Sequence, residues 1–199
     1  MNTIYISILS WNDAPFTLAC VRSVKACTIP LGYEVHCVVV DNGSKSDDLH
    51  ALTQGLVGSA GLSVESLPLP VNTGFAAGHN FVIDKAMAQD VEFIWLLNND
   101  VLVLPDTLVK LVDTMLAAPR CGVVSPLIYA HHDKSKMDFV GAIHDWINLD
   151  SVRAADEQQA IKLQNSEPTN FFVYGTAPLI RIAAEIGRAS CRERVSSKV

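Results

Sequence analysis

Short apolar runs rich in β-branched residues recur along this chain, separated by stretches of helical periodicity, and three of them stop at a polar cluster. Ile4 to Leu9 ends in Ser10-Trp11-Asn12-Asp13, Val35 to Val40 in Asp41-Asn42-Gly43-Ser44, and Phe93 to Leu97 in Asn98-Asn99-Asp100. Between the runs, apolar residues return every three or four positions. Phe16, Cys20, Val21 and Val24 form one such set, Leu49, Leu52, Leu56 and Val57 a second from a start near Ser46, and Leu108, Leu111, Val112 and Met115 a third behind Pro105. Strands alternating with helical segments of ten or more residues argue for βαβ units. The expected fold is one α/β domain with a mostly parallel sheet and helices on both faces.

The remaining elements follow from the same signals. Leu62 to Leu67 predicts a third strand, stopped by Pro68 and Pro70, and Asn72 to Asn80 a glycine-punctuated turn into a helix that runs through Ala88. Asp13 or Asn12 is placed to cap the first helix, whose early Pro15 is tolerated there. Val123 to Tyr129 and Phe171 to Tyr174 read as strands, and Pro178 to Ile186 as a helix. From Ala130 to Pro168 no period is clear, so a loop-rich excursion with a short strand near Phe139 is expected.

Bulk properties narrow the function. Charged residues make up only 18% of the chain and hydrophobic ones 49%, which fits a globular domain with one substantial core. A formal charge of −6 argues against a nucleic-acid binder. No apolar run approaches the ~18–20 residues of a membrane span. The N-terminus lacks the basic start and cleavage site of a secretory signal, so a cytoplasmic setting is expected. Five cysteines without Cys-x-x-Cys spacing read as reduced thiols, with neither a disulfide frame nor a zinc site.

The last residues differ in character. Residues 188–199 carry four basic residues and one acidic one with no periodicity; without them the formal charge falls from −6 to −9. Glu185 through Val195 is also, codon for codon, what a DNA string resembling a common sequencing adapter encodes. We therefore expect residues 188–199 to be a non-native tail on a domain spanning residues 1–187 that is incomplete at its C-terminus. Such a fragment is expected to be of low stability, with apolar surface exposed.

In an open parallel sheet, ligands bind beyond the carboxyl ends of the strands, where the strand order reverses. Ser10, Trp11, Asn12, Asp41, Asn42, Asn98, Asn99 and Asp100 all fall at such ends. Asp41 can hold a ribose or base edge, with Gly43 allowing close backbone approach, or it can close an Asx turn on its own backbone. Asp100 behind two asparagines offers hard oxygen ligands suited to Mg²⁺ or Mn²⁺, or merely ends the strand in a turn. In the Asn72–Asn80 segment, with Gly74, Gly78 and Asn80, small residues can let a helix N-terminus pass close to a diphosphate, or the segment can serve tight packing of a helix on the sheet. His131 and His132 read as a solvated pair, and His36 and His79 as packed or capping residues. The chain has no Gly-x-Gly-x-x-Gly after its first strand, no Walker loop and no serine–histidine–acid set, which disfavours dehydrogenases and P-loop ATPases.

Five segments together resemble the family 2 glycosyltransferases of GT-A fold, in particular their rhamnosyltransferase-like branch. They are Ile-Leu-Ser-Trp-Asn (8–12), Val-Val-Asp-Asn-Gly-Ser (39–44), Asn-Thr-Gly-Phe-Ala-Ala-Gly-His-Asn (72–80), Leu-Asn-Asn-Asp-Val (97–101) and Gly-Thr-Ala-Pro-Leu-Ile-Arg (175–181). The resemblance implies inverting transfer of a sugar from a nucleotide diphosphate donor (dTDP-rhamnose, a UDP- or a GDP-sugar) to a glycan or lipid-linked hydroxyl in polysaccharide biosynthesis. It implies nucleotide contact by Asp41, a Mg²⁺ or Mn²⁺ ion on Asp100 with Asn98 in place of the motif's first acid, and peripheral contact with the inner face of the membrane. The family's general base falls beyond Gly187; Asp138, Asp145 and Asp150 do not occupy its position. The chain is thus expected to be inactive as it stands. The alternative is a non-catalytic nucleotide-binding or scaffolding module.

Overall fold

The computed structural model describes residues 1–57 and 62–183, which fall into two compact units: residues 1–124 with 175–183, and residues 125–174. In the first, β1 (Asn2–Ser10), β2 (Tyr33–Asp41), β3 (Val64–Pro68) and β4 (Phe93–Asn98) run parallel, linked by α1 (Ala14–Lys25), α2 (Ser46–Leu56) and α3 (Phe75–Ala88). Helix α4 (Thr107–Ala117) leads to the short strand β5 (Val123–Val124). A last strand, β11 (Leu179–Arg181), lies antiparallel between β4 and β5, giving the order β3-β2-β1-β4-β11-β5. The expected mostly parallel α/β architecture is thus present, with one antiparallel strand set inside its β5 edge.

β1 is central because both its faces are apolar. Ile4, Ile6 and Ile8 point to one face and are fully buried, each contributing about 1.5–3 kcal/mol of transfer free energy. Tyr5, Ser7 and Leu9 point the other way, toward α3, where Tyr5 joins Val38, Val82, Ile83, Ala86 and Ile94 in one buried cluster. Among the described residues no helix is long and apolar enough to cross a membrane.

Several local expectations need correction. Asp13 occupies the N-cap of α1 without a side-chain bond; Asp48, from the first turn of α2, accepts from the Ala14 amide instead at 3.0 Å. Phe16 is 58% exposed, and Thr17 takes its place on the buried face of α1. The strand expected over Val123 to Tyr129 is broken: Pro126 has no amide to donate and holds Ser125 off a continuing ladder. The helix expected over Pro178 to Ile186 starts late: Leu179–Arg181 form β11, with Leu179 and Ile180 buried between neighbouring strands, Ile182 and Ala183 are helical, and the rest of that stretch lies outside the described residues. Residues 184–199, including the adapter-like tail, lie outside the described residues.

The second unit replaces the expected loop. β6 (Ile128–Ala130) pairs with β7 (Asp133–Phe139), while β8 (Ala142–Asp145) lies between β9 (Asp150–Arg153) and β10 (Phe171–Phe172). Phe139 stacks on Tyr174 with ring centroids 3.6 Å apart, and Arg153 sits 5.2 Å above the Tyr174 ring. Helix α5 (Glu157–Ser166) is fixed by its N-cap Asp156, which accepts from the Gln159 amide at 2.8 Å, while the Gln159 side chain accepts from the amide of Ala155, one residue before the cap, at 2.7 Å.

Candidate functional site

Register alone brings the polar clusters of the first unit together. Ser10 stands opposite Asp41 across β1 and β2, and Leu9 stands opposite Asn98 across β1 and β4. From β1 the chain moves outward through β2 and β3, then returns to the other side of β1 with β4. The carboxyl ends of β1 and β4 therefore border the point where the strand order reverses, which is where an open parallel sheet leaves a crevice. A cavity of about 260 Å³ lies there, lined by Leu9, Trp11 and Phe75 on the apolar side and by Asp13, Asn98, Asn99 and Asp100 on the polar side.

The sequence-predicted residues divide into those that build the crevice and those that face it. Ser10 is fully buried, with its hydroxyl 2.7 Å from that of Thr17. Thr17 donates to the Asp13 carbonyl and also accepts from the Asn99 side-chain amide at 3.1 Å, so one hydroxyl ties β1, α1 and the end of β4. Asn12 adopts φ +53°, its amide donating to the Ser44 hydroxyl and its side-chain oxygen accepting from the Lys45 amide. Asn42 is fully engaged: its side-chain oxygen accepts from both the amide and the hydroxyl of Thr73, and its nitrogen donates to Asn72 and to the Gly74 carbonyl. These three hold loops in place.

Of the two readings of Asp41, the turn is present. One oxygen, Oδ2, accepts from the Ser44 amide at 3.1 Å and closes an Asx turn. The other, Oδ1, is buried and has no partner among the described residues; the same is true of Asn98 Oδ1 at the end of β4. Buried polar atoms are rarely left unpaired, so each calls for a hydrogen-bonding guest or water. Gly43 allows a close approach, but to the chain itself: a Cβ there would lie 2.4 Å from the Val71 backbone.

Along the α3 entry the roles of the small residues separate. Gly74, the N-cap, has φ +84° with open space where a Cβ would go. Gly78 is a packing residue, since a Cβ would meet the Leu9 side chain at 2.4 Å. Asn80 is half-buried, further into the first turns of α3. His79 is fully buried with Nδ1 2.8 Å from the Ser7 hydroxyl, and its ring meets the edge of Phe75 at 4.7 Å. Burial pushes its pKa down to about 4, so it stays neutral in the folded chain. Cys20 and Cys27 are pushed up to about 12 and 11 by burial, and Cys37 is raised too, which leaves all three as inert thiols.

The cavity lining holds two carboxylates, Asp13 and Asp100, and no Lys or Arg. A diphosphate can enter such a site only with a cation that reverses the local sign. Among the described residues no group of three or more His, Cys, Asp or Glu could hold a metal by itself. The exposed Asp100 carboxylate and the unpartnered Asn98 oxygen nevertheless fit a Mg²⁺-type ion, which takes one or two protein oxygens and completes its shell with phosphate and water. The sequence reading missed Thr17, Asp48 and Phe75. Thr17 and Asp48 act through side-chain contacts between distant elements, and Phe75 lay unremarked inside the glycine segment.

The sheet order, with an antiparallel strand beyond β4 and a crevice at the β1/β4 reversal, is that of a GT-A fold. The chain belongs to glycosyl transferase family 2, whose sequence profile matches residues 5–183. Among solved structures it is similar to mannosyltransferase PcManGT from Pyrobaculum calidifontis in complex with GDP-Man and Mn²⁺, with a TM-score of 0.56 and 21% identity over 66% of this chain and 37% of that one. It is also similar to S. aureus TarS 1–349 in complex with UDP-GlcNAc, with a TM-score of 0.58 and 16% identity over 92% of this chain and 46% of that one. The chain thus spans less than half the length of either. No protein of curated function matches it.

Proposed function

We propose that this chain is the donor-binding part of an inverting glycosyltransferase that moves a sugar from a nucleoside diphosphate to a hydroxyl of a glycan or lipid-linked acceptor in polysaccharide assembly. One observation carries the reading: among the described residues Asp41 Oδ1 and Asn98 Oδ1 are buried without a partner at the ends of β2 and β4, the strands that flank β1, and the crevice beside Asn98 is lined by carboxylates and no cation. Asp41 is assigned to the nucleoside, and Trp11, Asn99 and the Gly74–Asn80 segment to the donor's remaining surface. Asp100 and Asn98 would hold Mg²⁺ or Mn²⁺, which neutralises the leaving diphosphate when bound. The two neighbours crystallised with GDP-Man and Mn²⁺ and with UDP-GlcNAc support a nucleotide-sugar ligand of this kind. The motifs of the rhamnosyltransferase-like branch favour dTDP-rhamnose, with UDP- and GDP-sugars as alternatives.

Residues 1–187 are read as one transferase domain acting in the cytoplasm at the inner face of the membrane, with 188–199 foreign to it. The general base is assigned beyond Gly187, so the chain should bind donor without turning it over. Sequencing source DNA through codon 187 tests the tail; a frame that continues without the adapter-like string supports the reading. Calorimetry of the full chain with UDP, dTDP and GDP tests the site. At least one should bind with Mn²⁺ present and lose about tenfold in affinity, or about 1.4 kcal/mol, without it. Asp100→Asn should abolish that metal dependence, and Asp41→Asn should weaken binding whether or not metal is present. If none of the three nucleotides binds, the reading fails.

A further inference from the structure

The second unit holds a cavity of its own, of about 310 Å³, at the tip of the β8–β9 hairpin. Its apolar lining is Ile143, Trp146, Ile147 and Val152; its polar lining includes Glu167 and Asn170. Trp146 is 67% exposed and is packed on one side. It makes a T-shaped contact with His144, with centroids 4.3 Å apart at 81°, and His144 in turn is 3.3 Å from the Ser151 hydroxyl. The turn that carries it is tied by Asp145, whose carboxylate accepts from the Ile147 and Asn148 amides at 2.9 and 3.1 Å. A large indole packed on one side with much of its surface open offers contact area for a ligand, and an indole has only two side-chain torsions to fix on binding.

The chemistry of the lining restricts what can lie on it. Asp145 and Glu167 are carboxylates and no Lys or Arg lines the cavity, so phosphates, sulfates and anionic lipids are repelled. Asn170 donates to Glu167 Oε2 at 3.2 Å. Among the described residues, the other Glu167 oxygen and the Asn170 side-chain oxygen remain as open acceptors. The volume is at the low end for a ligand pocket and suits a single ring. An uncharged ring with several hydroxyl donors at its edge and polarised C–H bonds on its face meets all three conditions, because the indole face is electron-rich.

We propose that this cavity is a carbohydrate-binding site that takes one neutral sugar ring of a glycan, stacked on Trp146 with its hydroxyls on Glu167 and Asn170. It deepens the glycosyl-transfer reading by giving the acceptor glycan a place to bind, and rests on that reading for this role alone. The test titrates the full chain with uncharged oligosaccharides, uronate-containing oligosaccharides and phosphatidylcholine vesicles, following Trp146 by indole NMR, alongside calorimetry with the nucleotides. Uncharged oligosaccharides should bind with millimolar affinity and acidic ones at least tenfold more weakly. Trp146→Ala should weaken the uncharged ligands at least tenfold and Glu167→Gln severalfold, while Trp146→Tyr retains most of the affinity and nucleotide binding is unchanged in all three variants. Thermal midpoints equal to that of the parent show that the variants are folded. Oligosaccharide binding indifferent to Trp146→Ala, no binding up to about 10 mM, or a Trp146 response to vesicles but not to sugar would each overturn the proposal. Sugar binding through Trp146 in a chain that binds no nucleotide would uphold this site and sink the donor-binding reading.

Discussion

Placing His79 against Ser7 makes stability depend on pH in a defined window. Unfolded, the imidazole titrates near 6.5; folded, burial holds its pKa at about 4. Above pH 6.5 both states are neutral there and the residue adds no pH dependence. As pH falls from 6.5 to 4, the unfolded chain binds a proton that the folded one does not, so stability is lost, by on the order of 3 kcal/mol when the loss is complete. Urea midpoints at pH 7.5, 5.5 and 4.5 should show the parent losing ground to His79→Gln as pH falls; a constant gap would show that His79 is not held neutral. Gly43 sets a second test at this scale. At φ +74°, with the Val71 backbone 2.4 Å from where a Cβ would sit, Gly43→Ala should cost on the order of 3 kcal/mol in urea unfolding. Sequence reading located Asp41, Asn98 and Asp100 because strand ends are legible from apolar runs. It left open which Asp41 oxygen does what, since that depends on Ser44 and on burial, and neither is encoded by spacing.

Elements were legible in proportion to their burial. β1, β2, β4 and α4 are apolar where they touch the core, so periodicity marks them within a residue or two. β8 and β9 are four-residue strands with mostly polar or half-exposed side chains, and nothing periodic marks them. α5 carried a signal that went unused: Asp156 and Gln159 stand at capping-box spacing. The helical pattern that sets in at Ile182 reads back to Pro178 in the sequence, because the three residues of β11 cannot display a period and only pairing with β4 and β5 decides their conformation. At the α3–β1 contact two effects oppose each other. Gly78→Ala gains about 1 kcal/mol of helix propensity but pushes the Leu9 side chain, which lines the crevice. Stability should therefore change by less than about 1 kcal/mol while nucleotide affinity falls; calorimetry beside urea unfolding separates the two.

For the whole molecule, the consequential fact is that the main sheet is closed by residues separated from it by the entire second unit. β11 pairs with β4, the Leu96 and Asn98 amides donate to the Pro178 and Thr176 carbonyls, and the buried Trp95 indole donates to Ala177 at 3.0 Å. Arg181 bonds the Met115 carbonyl near the end of α4 at 2.9 Å and lies over Phe93. A chain ended at Tyr174 should thus bind a hydrophobic dye and lose its cooperative urea transition; an unchanged midpoint would show that β11 is dispensable. The same arrangement sets a timetable during synthesis. β4 leaves the ribosome about 80 residues before its partner strand, which at 5–20 residues per second is roughly 4–16 s. Through that interval the nascent sheet carries an open edge beside its most buried tryptophan, and the cell must keep neighbouring chains from pairing with it until the last strand arrives.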